Sequence, residues 1–399
     1  MITADFLIVG GGIVGVSIAR TIKERYSDAK VVLIEKELDC GLHASGRNSG
    51  VLHAGFYYSP DSLKAKYTQL GNQLLGDYCA DKGIKINHCG KLVVARDESD
   101  FPLMDELLRR ARTNGVPLES LTDEEAREIE PRVKTCGRAL YSPTTASVDP
   151  KKVMQTMRTD AQAEGIDVHV GCAYLGHSRK AIQTSTGVYQ AGYVINAAGL
   201  YADKVARDFG FSEHYRILPF KGLYLYSEEP PHAVRTNIYP VPDLRNPFLG
   251  VHYTITVDGR CKIGPTAIPA LWREQYNGFS NFELSEFAEI VVRQASLFVS
   301  SDFGFKRLAI EELAKYSRVK MVAQAAELLS GVEPGHYRRW GQPGIRAQLI
   351  DLRNKRLEMD FVLEGDQESM HILNAVSPAF TCSIPIARHV CDEVCKQIH

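Results

Sequence analysis

The sequence predicts an α/β unit of the Rossmann-like kind joined to an α+β lobe, and three observations lead there. The first thirty-five residues form a strand, glycine turn, helix, strand and terminal acid in that order. Helical periodicities then alternate with short apolar runs. Residues 218–270 change character to alternating segments rich in Tyr, Phe, Val and Pro, with turn dipeptides such as Asp258-Gly259.

Each part of the opening series has a physical reason. Residues 5–9, Asp-Phe-Leu-Ile-Val, read as a buried strand, and Gly10-Gly11-Gly12-Ile13-Val14-Gly15 follows directly. Gly10 permits a tight exit, Gly12 leaves the backbone open to a diphosphate, and Gly15 lets the helix approach the sheet. The N–H groups at the helix start favour an anion. A second strand, 30–34, ends at Glu35, whose carboxylate can accept from a ribose diol and would repel a 2′-phosphate. An ADP-containing cofactor is expected.

Composition narrows the class. The 399 residues are too many for one small core and suggest two lobes. Lys+Arg 47 against Asp+Glu 48 leaves no field that would favour nucleic acid. Hydrophobic residues at 44% and charged ones at 24% fit a soluble globular protein. Asp5 and the glycine turn break any signal-peptide reading of the start, and no long apolar run predicts a membrane span. A cytoplasmic location is expected, with peripheral attachment to an inner membrane left open. Nine cysteines without a C-x-x-C pair indicate a reducing compartment. Cys391 and Cys395 are one helical turn apart with no His or Cys nearby, so they read as small buried hydrophobes; no metal site is expected.

Further along, helices are expected at 62–82, 100–113 and 153–164, and strands at 91–95 and 168–170. A buried strand through Tyr193-Val194-Ile195-Asn196 runs into Ala197-Ala198-Gly199, where small residues allow close approach of a ligand. Residues 218–270 read as an antiparallel sheet, 281–330 as helices, and a terminal helix is expected near 384–398. The absence of repeats and low-complexity linkers implies interleaved lobes. The expected division is a discontinuous cofactor domain of 1–85, 145–215 and 335–399, with a substrate domain of 86–144 and 216–334.

A second constellation is Ser45-Gly46-Arg47-Asn48-Ser49-Gly50-Val51-Leu52-His53-Ala54-Gly55. Its glycines turn backbone N–H groups outward, and Ser45, Asn48 and Ser49 supply local hydrogen bonds. An imidazole titrating near neutrality suits the removal of a proton from an alcohol, although a lone loop histidine, taken by itself, more often has a structural role.

Together with Ser62-Leu63-Lys64-Ala65-Lys66, Ala198-Gly199-Leu200-Tyr201, residues 237–243 (Asn-Ile-Tyr-Pro-Val-Pro-Asp), Phe248-Leu249-Gly250-Val251-His252, Gly344-Ile345-Arg346-Ala347-Gln348 and residues 374–379 (Asn-Ala-Val-Ser-Pro-Ala), these motifs carry a resemblance. The chain resembles the D-amino-acid-oxidase-like (DAO) flavoproteins, which oxidise amines and 2-hydroxy acids on FAD. Within them it is most similar to L-2-hydroxyglutarate dehydrogenases and oxidases, nearly end to end. The resemblance implies a DAO/glutathione-reductase-like FAD-binding domain and non-covalent FAD. The expected cofactor contacts are Gly10, Gly12, Gly15, Glu35, Lys36, Ser45, Asn48, Ser49, Gly50, Ala198, Gly199, Ser377, Pro378 and Ala379. It also implies His53 as catalytic base and Arg346 as the clamp on the substrate α-carboxylate. A dicarboxylate hydroxy acid needs a second anchor, for which Lys221, Tyr239, His252 and Tyr57 are candidates, Tyr239 fitting a core position equally well. Arg47 stands where such proteins often carry a neutral or imidazole side chain, and Cys382 where Ser or Ala is common. The electron acceptor, quinone or oxygen, is not legible. Two rivals stay open: an oxidase of glycerol-3-phosphate or another small hydroxy or amino acid, and a non-catalytic FAD-binding assembly subunit. Retention of both His53 and Arg346 argues against the second.

Overall fold

The computed structural model describes residues 2–244, 248–300 and 305–398. The chain divides into two compact units, one of Met1–Arg47, Pro150–Pro219 and Arg346–His399, the other of Asn48–Asp149 and Phe220–Ile345.

The first unit is built on an eight-stranded sheet. The strand Ile2–Val9 lies parallel between Val31–Ile34 and Gly187–Asn196. Val31–Ile34 in turn pairs in parallel with Asp167–His169. The long strand Gly187–Asn196 pairs with Ala181–Thr184 through its first half and Ser369–Leu373 through its second. Val31–Ile34 is buried at every position, the continuous apolar pattern of a parallel strand covered on both faces. The helix Ile13–Arg25 buries Val14, Ile18 and Ile22 and packs against the helices Ser383–Ile398 and Pro150–Ala163. Cys391 is buried, but Cys395 is only half-buried: its thiol lies 2.8 Å from Tyr26 Oη and 3.1 Å from Arg25 Nη1.

The second unit holds an eight-stranded sheet in the order Arg339–Trp340, Leu225–Tyr226, Cys261–Gly264, His252–Ile255, Asn237–Pro240, Lys91–Val94, Arg138–Ser142 and Glu119–Thr122. The expected antiparallel sheet is present with one exception. Asn237–Pro240 runs parallel to Lys91–Val94, with Lys91 opposite Asn237. These strands come from distant parts of the chain, so no hairpin turn forces them to be antiparallel. Strand alternation separates two cores. Leu92, Val94, Ile238 and Tyr253 pack with Met321 and Tyr337 on one face. Val93, Ala95 and Tyr239 pack with Phe56, Tyr57 and Met104 on the other, covered by the helix Phe101–Thr113.

Residues 48–85, expected in the cofactor domain, lie in this second unit. Hydrogen bonding explains the difference: Val51–Leu52 and Ile86–Asn87 both pair antiparallel with Ala146–Val148 in a separate small sheet. Between them runs the helix Leu63–Asp81, capped by Ser62 Oγ accepting from Ala65 N at 3.0 Å. The other unit boundaries likewise depart from the expected ones by a few to about ten residues.

Two helical glycines give a paired test of this packing. A Cβ on Gly15 would lie 2.0 Å from the carbonyl oxygen of Gly10, whereas one on Gly76 meets nothing within 4 Å. Gly15→Ala should lower unfolding stability by about 1–3 kcal/mol through overpacking. Gly76→Ala should raise it by about 0.5–1 kcal/mol through helix propensity and unfolded-state entropy. Urea denaturation of the two variants beside the parent checks both signs.

Candidate active site

The glycine turn of the first unit leaves a side-chain-free cradle. Gly10 has φ +113°, and a Cβ there would meet the Ala197 carbonyl oxygen at 2.5 Å. Gly12 is the N-cap of Ile13–Arg25 and offers no side chain to close the helix start. Ser45 Oγ accepts from Ile13 N at 2.9 Å, which fixes residues 44–46 beside that start. Glu35, nearly buried, accepts from Gly11 N at 2.7 Å and from Glu37 N at 2.9 Å. Its carboxylate therefore shapes the turn as well as standing at the end of the second strand. A helix start without a capping side chain, beside a buried carboxylate, fits a diphosphate-and-ribose group.

The other expected contacts in this unit are distributed around small residues. Ala198 N donates to Asn196 Oδ1 at 3.1 Å, and Gly199 has φ +55°. Ser377, Pro378 and Ala379 form the turn before the helix Ser383–Ile398, where Cys382 N donates to the Pro378 carbonyl at 3.0 Å. Lys36 Nζ lies 5.5 Å from the Tyr201 ring centroid. Arg47 Nε donates to the Leu42 carbonyl at 2.6 Å, tying its own loop. Arg346, half-buried, is on the strand Gly344–Asp351 and opens the last segment of the unit.

The second unit carries Asn48, Ser49, Gly50 and His53. Asn48 Oδ1 accepts from Gly50 N at 2.8 Å and Ser49 Oγ from Val51 N at 3.3 Å, so both side chains shape the turn. The Ser49 carbonyl accepts from Lys262 Nζ at 3.1 Å. Asn72 Nδ2 donates to the carbonyls of Leu52 and His53 at 3.1 and 3.2 Å, fixing the backbone on which the imidazole stands. His53 is 8% exposed. Burial, followed by the charge of Lys91, pulls its pKa down to about 3. The near-neutral titration expected of an ordinary imidazole is thus displaced far into the acid range.

Tyr57 and Tyr239 are brought together around one buried lysine, and His252 stacks on Tyr239. The Lys91 ammonium is 4.3 Å from the Tyr239 ring centroid, 5.2 Å from that of Tyr57 and 5.6 Å from that of Phe56. Tyr239 stacks on His252 with centroids 3.7 Å apart and ring planes 19° from parallel. His252 Nδ1 is 2.9 Å from the Gly250 carbonyl, the distance of a donated hydrogen bond. Burial raises both tyrosine hydroxyls above their ordinary range. Lys221 occupies another strand, opposite Ile268, and burial lowers its pKa.

Three contributors were absent from the sequence reading: Lys91, Asn72 and Lys262. Burial takes the Lys262 ammonium down to about 8, and it sits 4.5 Å from the Tyr224 ring centroid. The available signal was a lysine opening the otherwise apolar run Lys91-Leu92-Val93-Val94, directly after Gly90.

Comparison with known proteins follows the same lines. The chain is 36% identical to the L-2-hydroxyglutarate dehydrogenase of Indibacter alkaliphilus, over 98% of this chain and 98% of that protein. It is 35% identical to the mitochondrial L-2-hydroxyglutarate dehydrogenase of Homo sapiens, over 98% and 88%. Among solved structures, the FAD-bound L-α-glycerophosphate oxidase of Mycoplasma pneumoniae superposes with a TM-score of 0.77 at 20% identity, covering 99% of this chain and 95% of that one. The family model for FAD-dependent oxidoreductases matches residues 5–393, and with it the chain belongs to the DAO family of FAD-dependent oxidoreductases.

Proposed function

We propose that this protein oxidises L-2-hydroxyglutarate, or a close L-2-hydroxy acid, to the corresponding 2-oxo acid. One observation carries the chemistry: His53 is buried and held in its neutral, proton-accepting form. The choice of substrate is supported by the two dehydrogenases that share 35–36% of their residues over 98% of this chain.

FAD supplies the acceptor for the hydride leaving the substrate Cα. The residues that would hold it without a covalent bond are Gly10, Gly12, Gly15, Glu35, Lys36 and Ser45, with Asn48–Gly50, Ala198–Gly199 and residues 377–379. A ring nitrogen of His53 takes the hydroxyl proton as the Cα–H bond gives up its electron pair, leaving the carbonyl of the 2-oxo acid. Arg346 binds both oxygens of the α-carboxylate, a task for which its planar fork and permanent charge are suited. Among the candidates for the distal carboxylate, the Tyr57 hydroxyl is buried without a hydrogen-bond partner, which favours it over Tyr239, His252 and Lys221. No described helix is long and apolar enough to cross a membrane; electrons would pass onward to a quinone or to oxygen, and peripheral membrane attachment is compatible with this reading.

The direct test is anaerobic bleaching of the bound flavin by a panel of L- and D-2-hydroxy acids. L-2-hydroxyglutarate is expected to reduce it fastest; failure of every hydroxy and amino acid would leave the protein as a non-catalytic flavin carrier. Denaturation should release FAD into solution, and flavin that stays with the precipitated chain would overturn non-covalent binding.

For the base, His53→Ala is expected to keep FAD but lose about 10²- to 10⁴-fold in reduction rate. Because only neutral imidazole accepts the proton and the native pKa lies far below neutrality, the wild-type reduction rate should stay level from about pH 8 to about pH 5. Stopped-flow measurement settles both; a variant within about threefold of wild type removes His53 from the mechanism.

Arg346→Ala should weaken the response to L-2-hydroxyglutarate by roughly 30- to several-thousand-fold, the result of removing one partner of a hydrogen-bonded charge pair. Arg346→Lys should recover only part of it. Titrating both variants with L-2-hydroxyglutarate and L-lactate checks this, since an undiminished response of the alanine variant to both acids makes the arginine structural.

A further inference from the structure

The helix Leu284–Ser300 is apolar on two faces rather than one. Its inner face buries Ile290 and Leu297. Its charged side chains turn the same way. Glu286 is 2% exposed and accepts from Arg273 N at 3.4 Å, and the buried Arg273 Nε lies 3.7 Å from its other oxygen. Glu289 Oε1 pairs with Arg293 Nη2 at 2.6 Å, and Gln294 Nε2 donates to the Ala270 carbonyl at 2.6 Å. The outer face carries Leu284, Ala288, Val292, Ala295 and Val299, at steps of four, four, three and four residues. Leu284 and Val292 are 70% exposed and Val299 85%. No exposed side chain among the described residues of this helix is charged. A helix that is hydrophobic all round is stable when both sides are covered, because apolar surface gains free energy by leaving water.

We propose that this outer face binds a second copy of the chain, the two Leu284–Ser300 helices packing antiparallel about a two-fold axis near Val291 and Val292. The order of side-chain sizes supports a self-complementary pair. Branched and small residues alternate from Leu284 to Val299, and the alternation reads the same from either end. A two-fold contact requires that symmetry, since residue i meets j and j meets i. Antiparallel pairing sets Leu284 against the partner's Val299 and Ala288 against the partner's Ala295, while Val291 and Val292 meet at the axis. Alanines at these positions let the two helix axes approach to about 8 Å, the short end of the packing range. The steps stay close to the helical repeat, so the face keeps to one side along about 25 Å of helix.

The two ends of the stripe carry opposite charge. Glu283, exposed, precedes Leu284 at one end. At the other, the exposed Lys306 places its ammonium 5.5 Å from the Phe298 ring centroid. Antiparallel pairing brings each Glu283 towards the partner's Lys306, whereas parallel pairing would set like charges together. Phe279, 84% exposed and stacked on Trp272 with centroids 6.2 Å apart, extends the face beyond its Leu284 end with the kind of aromatic anchor that interfaces use. A lipid surface fits less well. Interfacial helices place Lys and Arg on the polar face and bulky Trp, Phe or Leu on the apolar one. Here the charged residues are Glu286, Glu289 and Arg293, all turned inward, and the centre of the stripe is alanine and valine. One helix and its flanks make an interface at the small end of the specific range, so micromolar dissociation is expected.

Sedimentation velocity on the full-length flavoprotein, without detergent, reads the association. The wild type is expected to pass from monomer to dimer between about 1 and about 100 µM. Val292→Glu sets like charges at the axis and should leave a monomer throughout, with flavin content and helical circular dichroism unchanged. Glu283→Lys and Lys306→Glu should each weaken association roughly three- to tenfold, and combining them should restore most of it. Under an added oxidant, Val292→Cys should cross-link into a dimer above the wild-type background and Leu284→Cys should not, since Leu284 faces the partner's Val299. A wild type that stays monomeric at about 100 µM overturns the proposal; if that monomer floats with phosphatidylcholine–phosphatidylglycerol vesicles and Val292→Glu does not, the face belongs to lipid. A dimer untouched by Val292→Glu overturns it as well. If Val292→Glu does not fold, the cysteine variants carry the test, and Val292→Cys cross-linking no better than Leu284→Cys overturns the antiparallel pair.

Discussion

The contact between two stretches of bare backbone at the glycine turn is the constraint on which the first unit depends. Gly15 must come so near the Gly10 carbonyl, and Gly10 so near Ala197, that a single Cβ at either position would overlap main-chain oxygen. That proximity sets the start of the helix Ile13–Arg25 against the ends of the Ile2–Val9 and Gly187–Asn196 strands. The helix then begins without a capping side chain, with Glu35 and Ser45 taking up two neighbouring N–H groups. An anion-binding helix start follows from the packing, because whatever makes the approach close also removes the side chains that would cover it.

The second unit works from the opposite condition, charge kept where water is absent. His53 and Lys91 are both buried and both are shifted towards their neutral forms, in each case chiefly by burial. Burying Lys91 lowers stability, since no carboxylate among the described residues compensates its charge. The aromatic rings of Phe56, Tyr57 and Tyr239 offset part of that cost and also hold the turn that follows His53. Asn72 fixes the backbone of the same turn through two carbonyls, so the imidazole is constrained by hydrogen bonds at its base and by electrostatics at its ring. A site of this kind trades folding free energy for a defined protonation state.

Much of this was legible in one dimension. The glycine turn, the buried strands on either side of it and the terminal Glu35 are local features, in which residue type and spacing dictate conformation within a few turns of chain. The helices at Leu63–Asp81 and Phe101–Thr113 follow from periodicity and capping residues. The terminal helix Ser383–Ile398 likewise begins within a residue of its expected start. His53 stood out because an imidazole after a small, glycine-flanked segment is chemically conspicuous.

What the sequence determined by itself, then, was the set of elements, the nucleotide-binding turn and the membership of residues such as His53 and Arg346 in a recognisable pattern. Tertiary structure alone decided that residues 48–85 join the second unit, because that choice rests on pairing with Ala146–Val148, some sixty to a hundred residues away along the chain. It alone set Asn237–Pro240 parallel to Lys91–Val94, and turned Lys91 inward beneath three rings. It also moved the titration of His53 out of the neutral range. The reason is common to all four: strand partners, burial and local field are sums over residues remote in sequence, and no spacing rule within one segment contains them.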